Sequence, residues 1–142
     1  MDPARADMGY LIGQTARWMR ALLAEELRYH GLDDTAYILL YFANDAGESG
    51  MGTRALANTA EMSFAEVDAS ARRLVRDGWL SESPDPADGA SLIVRLTPKA
   101  LSVLPMLADA AHWAIERGLN GFTSDEIAQL RDYLTRIQAN LR

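Results

Sequence analysis

The sequence has no cysteine, which excludes disulfides, thiolate metal sites and a cysteine nucleophile together. Its two histidines, His30 and His112, leave little for zinc ligation or base catalysis. No nucleophile–base pair or clustered carboxylate spacing stands out among the scattered acids, so no enzyme, metal site or cofactor is expected. Long apolar runs are missing as well. The longest uncharged stretch, Thr35–Asn44, is far short of the ~20 apolar residues of a membrane span. The acidic N-terminus lacks the charged-then-apolar order of a signal peptide, and the expected location is cytoplasmic. Basic charge is scarce: 14 Lys and Arg stand against 20 Asp and Glu, a net charge of -6. That balance argues against indiscriminate nucleic-acid binding, and any DNA contact must come from a local basic patch.

What is present suits one compact domain carrying helical arms. Of the 142 residues, 49% are apolar and 24% charged, enough to bury a core. Leu11, Thr15, Trp18, Leu22, Leu23 and Leu27 keep a helical period up to His30, and Gly31 closes that helix. Asp33 caps a second, strongly apolar helix through about Asn44, and the glycine-rich stretch Asp45–Gly52 is expected to be a loop. Thr53 opens a short helix to about Thr59. Ser63-Phe64-Ala65-Glu66 is a capping box that starts another, running to Asp77. Trp79-Leu80-Ser81-Glu82-Ser83 leads out extended, Pro84–Gly89 turns, and Ser91–Leu96 returns as a β-branched strand. Thr97-Pro98 starts a long helix toward Leu119, and Thr123-Ser124-Asp125-Glu126 is a capping box for the last.

Both late helices carry a 3-4 apolar seam: Leu101, Leu104, Ala108, Ala111 and Ile115, then Ile127, Leu130, Leu134, Ile137 and Leu141. The small central module cannot easily hide these seams, so packing between two subunits is the economical solution. An intramolecular bundle of the first and last two helices is the alternative. Pro105 is expected to kink the first of the late helices or to split it.

Helix, helix, strand, turn, strand between Thr53 and Leu96 is the winged helix-turn-helix order, in which the second helix enters a DNA major groove. With Val67 facing inward at 100° per residue, Ala71 and Leu74 share its face. Ala65, Asp68, Ala69, Arg72, Arg73 and Arg76 point away. Guanidinium groups fork onto guanine edges and grip phosphates, so an arginine cluster on a presented helix suits duplex DNA. The alternative is a solvated helix whose arginines pair with Asp68, Asp77 or Glu61. From Thr53 to Pro98 seven acids (Glu61, Glu66, Asp68, Asp77, Glu82, Asp85, Asp88) face five arginines (Arg54, Arg72, Arg73, Arg76, Arg95). The module is net acidic, which predicts modest affinity or a narrow choice of sequence.

Six stretches stand in a specific order: Gly31-Leu32-Asp33 with Tyr37, Thr53-Arg54-Ala55-Leu56-Ala57, Ser63-Phe64-Ala65-Glu66-Val67, Arg73-Leu74-Val75-Arg76-Asp77-Gly78-Trp79-Leu80, Asp85-Pro86-Ala87-Asp88 and Leu96-Thr97-Pro98-Lys99-Ala100. In these, from about Leu11 onward, the sequence resembles the MarR family of dimeric, ligand-responsive bacterial transcription regulators. The resemblance implies a mainly α fold with a small β-hairpin wing. Residues 1–142 then form a single domain, with dimerisation helices at about 8–31 and 98–142 and a winged helix-turn-helix at about 33–97. It implies a homodimeric DNA-binding regulator, expected to be a repressor, whose two lobes read successive major grooves of a pseudo-palindromic operator. Carried onto this chain, the recognition helix is Ser63–Asp77, the wing is Ser81–Val94, and the DNA contacts fall to Arg54, Ser63, Ala65, Asp68, Ala69, Arg72, Arg73, Arg76 and Arg95.

The departures lie on the DNA surface. Where the family commonly has a wing arginine, this chain reads Asp88-Gly89-Ala90-Ser91, leaving Arg95 as the one basic wing residue; Ala69 stands where the family often has arginine. Minor-groove reading relies on a wing cation, so the burden moves to Arg72, Arg73 and Arg76. The resemblance also implies a small aromatic or anionic effector bound between the dimerising helices and the lobe. Arg17, Trp18, His30, Tyr37, Tyr41, His112 and Trp113 are the candidate lining. The plainer roles are core or interface anchors for Trp18 and Trp113 and a helix-dipole cap for His30. A winged-helix protein working through protein contacts, with weak or no DNA binding, is the alternative function, favoured by the acidic wing.

Overall fold

The computed structural model describes residues 2–142. A short α1, Pro3–Ala6, is capped by Asp2 and runs into α2, Met8–Tyr29, closed by Gly31 at φ 71°. Helix α3, Asp34–Ala46, begins where the Asp33 carboxylate accepts the Ala36 amide hydrogen at 2.9 Å. Its Ala36, Leu39, Leu40 and Ala43 are buried, which makes it the central helix of the lobe, packed against α4 (Thr53–Ala60), α5 (Phe64–Arg76) and the sheet. The late helices are α6, Pro98–Gly118, and α7, Ser124–Leu141.

The strands are β1 (Met51–Gly52), β2 (Leu80–Pro84) and β3 (Leu92–Leu96), in the antiparallel order β1-β3-β2. In register, Leu80 faces Leu96, Pro84 faces Leu92, and Met51 faces Val94. The sequence predicts one hairpin and a loop through Gly52. The loop instead holds a 3₁₀ turn, Gly47–Ser49, and then adds a third strand. Gly50 makes this possible: at φ 74° it comes so close to β3 that a Cβ would sit 2.8 Å from the Val94 carbonyl oxygen. Pro84, expected in the turn, ends β2, which an edge strand tolerates.

Pro105 does not split α6, which runs unbroken from Pro98 to Gly118. The proline leaves the Leu101 carbonyl without an i+4 donor, on a residue that is itself exposed.

The core is the lobe's own. Leu39, Leu56, Val67 and Val94 are fully buried, joined by Leu23 and Leu27 from the end of α2 and Leu104 and Leu107 from α6. Nothing in the first half of α2 is buried, and no residue of α7 is. The intramolecular bundle is therefore not what the chain forms: α2 packs on α6, but the seam of α7 stays uncovered. No helix of the described residues is long and apolar enough to cross a membrane.

Candidate nucleic-acid interface

Helices α4 and α5 are joined by a tight turn in which Glu61 adopts left-handed φ 55° and the Met62 amide donates to the Ala57 carbonyl at 3.0 Å. Ser63 then caps α5, its Oγ accepting from the Glu66 amide at 3.2 Å. The reciprocal half of the expected box is absent there. Glu66 Oε2 instead takes the Ser63 hydroxyl hydrogen at 3.1 Å, whereas Thr123 and Glu126 form the complete box at α7. Val67, Ser70, Ala71 and Leu74 face the core, and Ala65, Ala69, Arg72, Arg73 and Arg76 are exposed, with Asp68 half-buried among them.

Three of the exposed cations are held by carboxylates of the same chain. Arg72 Nε donates to Asp68 Oδ2 at 3.0 Å, one turn back on α5. Arg73 Nη2 reaches Asp33 Oδ2 at 2.8 Å, tying the recognition helix to the cap of α3. Burial alone would raise the Asp33 carboxyl; the Ala36 amide and the Arg73 guanidinium outweigh it and hold the group below its ordinary 3.8. Arg54 Nε donates to Asp88 Oδ2 at 2.6 Å, and its guanidinium lies 4.3 Å from the centre of the Phe64 ring. That hydrogen bond, with one from the Ala90 amide, lowers the Asp88 carboxyl. Of the three acids weighed as partners, only Asp68 takes a recognition-helix arginine. Arg76 has no ion-pair partner among the described residues, and Glu61 pairs with Arg142 at 2.6 Å.

Arg95, expected as the wing cation, is turned into the sheet: Nε donates to the Glu48 carbonyl at 3.0 Å and Nη1 to Ser83 Oγ at 3.0 Å. The base of the wing is riveted by two residues, Thr53 and Ser91, that the sequence marks only as the starts of a helix and a strand. Thr53, fully buried, shares a hydrogen bond of 3.1 Å with Ser91 Oγ and accepts the Leu92 amide at 3.1 Å. Ser91 Oγ accepts from the Arg54 amide at 3.2 Å, capping α4 from the far side of the wing. Only the threonine beside a helix start signalled this, and its partner lies 38 residues away.

Among the described residues, neither of two clefts gathers the seven effector candidates. Arg17 borders an open cleft of about 310 Å³ with Arg20, Leu27, Arg28, Leu32 and Asp34; Trp113 borders another of about 340 Å³ with Leu22, Glu25, Glu26 and Ala110. Trp18 and Trp113 are 65% and 55% exposed, so neither is a core anchor of this chain. Tyr37 and Tyr41 neighbour each other on α3, ring centres 6.5 Å apart, and His112 is exposed 3.9 Å from Glu116. His30 ends α2, its ring edge-on to the buried Trp79 at 6.2 Å and its Nε2 buried without a hydrogen-bond partner.

No family model and no curated protein matches the sequence. Solved structures do. A MarR protein from Peptoclostridium difficile matches 99% of this chain and 91% of its own at 16% identity, TM-score 0.86. A mutant MarR from E. coli complexed with operator DNA matches 93% of this chain and 94% of its own at 20% identity, TM-score 0.81. CouR from Rhodococcus jostii RHA1, bound to p-coumaroyl-CoA, matches 96% of this chain and 95% of its own at 20% identity, TM-score 0.80. The chain has the winged-helix fold of MarR-family transcriptional regulators.

Proposed function

We propose that this chain is a DNA-binding transcriptional regulator, not an enzyme, which acts in the cytoplasm as a homodimeric repressor on a pseudo-palindromic operator. The observation that carries the reading is the outer face of α5, where Arg72, Arg73 and Arg76 stand opposite the buried Val67-Ala71-Leu74 stripe in a lobe shaped like one complexed with operator DNA. Arg72 and Arg76 read base edges; Arg54 and Arg73 exchange their carboxylate partners for phosphates. Ser63, Ala65 and Ala69 are the close-approach positions at the start of the helix. The dimer forms through the uncovered apolar faces of α2, α6 and α7, whose Leu11, Trp18, Ile127, Leu130 and Leu134 are exposed in the single chain.

A small aromatic or anionic effector of the kind carried by the CouR structure belongs between the dimer helices and the lobe, where Arg17, Arg20 and Arg28 supply positive charge. Salt-titrated binding to duplexes from beside the protein's own gene tests the reading: specific, salt-dependent binding supports it. A second reading, a winged-helix module for protein contacts, draws on the wing, where Asp88 occupies Arg54 and Arg95 is engaged by Glu48 and Ser83 along the sheet. It expects no duplex binding even at low salt.

A further inference from the structure

Asp68 is the recognition-helix acid for which helix capping gives no reason, and its geometry is unusual. Its Oδ2 accepts from Arg72 Nε at 3.0 Å, while its Oδ1 is buried without a hydrogen-bond partner. A carboxylate with one oxygen shut under the protein surface and unpartnered costs folding free energy, and the oxygen left to it is the one that faces Arg72. Of the other outward cations, Arg76 is unpaired among the described residues and three are drawn elsewhere: Arg73 sideways to Asp33, Arg54 to the wing, Arg95 into the sheet. Arg72 alone is held along its own helix, pulled back one turn toward the N-terminal end, the end a recognition helix inserts first.

We infer that Asp68 is a positioning residue that fixes Arg72 for guanine recognition; this rests on the proposed DNA-binding role. With Nε–H engaged by Asp68, the guanidinium keeps its two terminal nitrogens as a forked pair of donors. Guanine presents two acceptors, O6 and N7, to the major groove, whereas adenine presents an acceptor beside an amino donor. A fork held in place accepts the first pattern and clashes with the second. A guanidinium free to rotate can instead move onto a phosphate, which carries no sequence information. Asp68 thus gives up attraction for phosphates and gains discrimination between bases, which is how a net-acidic module can still choose a site.

The test combines one spectroscopic and one binding measurement on the full-length protein. The Arg72 Nε–H resonance, assigned by its loss in Arg72→Lys, should exchange slowly in the parent and broaden or shift in Asp68→Ala, with no DNA present. In binding to selected duplexes and their single G-to-A variants, the parent should prefer guanine at one position of each half-site. Asp68→Ala should cut that preference roughly ten-fold while binding a scrambled duplex at least as well as the parent. Asp68→Glu, which still reaches four residues along the helix, should restore much of the preference. An Nε–H signal indifferent to Asp68→Ala overturns the inference. So does a variant that tightens on every duplex equally and keeps its guanine preference, since Asp68 would then be only a neutralising charge. A parent that binds no duplex at low salt overturns the DNA-binding reading and the base-reading role with it, whereas failure of the positioning role alone leaves parent binding intact.

Discussion

The winged lobe and the helical arms of this protein satisfy their side chains in opposite ways. In the lobe, Leu39, Leu56, Val67 and Val94 are fully buried, Thr53 and Ser91 satisfy each other under the wing, and Arg54, Arg72 and Arg73 each have a carboxylate partner. In the arms, α7 buries no residue, and Trp18, Tyr29, Leu134 and Leu141 face solvent. Covering a large apolar side chain is worth roughly 1.5–3 kcal/mol, and a helix in a protein draws most of its stability from packing its apolar face. The lobe therefore carries the reasons for its structure within one chain, while α7 needs a surface that a second chain can supply. In the proposed function, sequence discrimination belongs to the self-contained part, and control by assembly or ligand belongs to the part left open.

The comparison breaks most visibly at the arm. Leu134→Asp puts a charge in the middle of the seam and should abolish the dimer, giving monomer or aggregate by light scattering and a large loss of operator binding, because two linked lobes bind far more tightly than one. A stable, folded parent monomer at micromolar concentration would contradict the account of the arms. Next in size is the lobe core: Leu56→Ala, at a fully buried site, should lose about 2–5 kcal/mol of stability by chemical denaturation. Arg72→Ala and Arg76→Ala should each weaken operator binding roughly ten-fold and relax one base position. Arg73→Ala should weaken all sequences alike and reduce the salt slope by about 1.

Smaller again is the wing. Ala90→Arg adds a cation beside Asp85 and Asp88, and should tighten binding several-fold with a steeper salt dependence. Unchanged affinity and slope would mean that the wing stands off the duplex. The smallest effect is acid stability. The folded Asp33 carboxyl lies below its ordinary 3.8, so its contribution is present above that value and is lost as pH falls through the folded one. Asp33→Asn should therefore lower Tm near neutrality and flatten the fall of Tm below pH ~4 relative to the parent.

What the sequence made legible was local. Asp33, Ser63, Thr97 and Thr123 announce helix starts because a cap depends on residues three positions apart, and all four side chains cap as expected. The inward Val67-Ala71-Leu74 stripe follows from helical period alone. Strand β1 was not legible, since two residues carry no alternation and their pairing depends on Gly50 meeting β3 more than forty positions later. For the same reason the Arg73–Asp33 and Arg54–Asp88 pairs were missed, while Asp68 and Arg72 could be paired from i,i+4 spacing. Of the effector candidates only Arg17 and Trp113 border one of the two clefts, and each a different one, because residue type carries no information on distance.

The central claim, that α5 presents its arginines to duplex DNA from a dimer, is tested most directly by fluorescence anisotropy on an operator-length duplex selected from the DNA flanking the gene, across a salt series. The account predicts two protomers per duplex and a logarithmic affinity that falls linearly with the logarithm of salt concentration, several-fold weaker for a scrambled duplex. Absence of binding at low salt by a protein shown to be dimeric would contradict it, and would make the winged lobe a surface for protein partners.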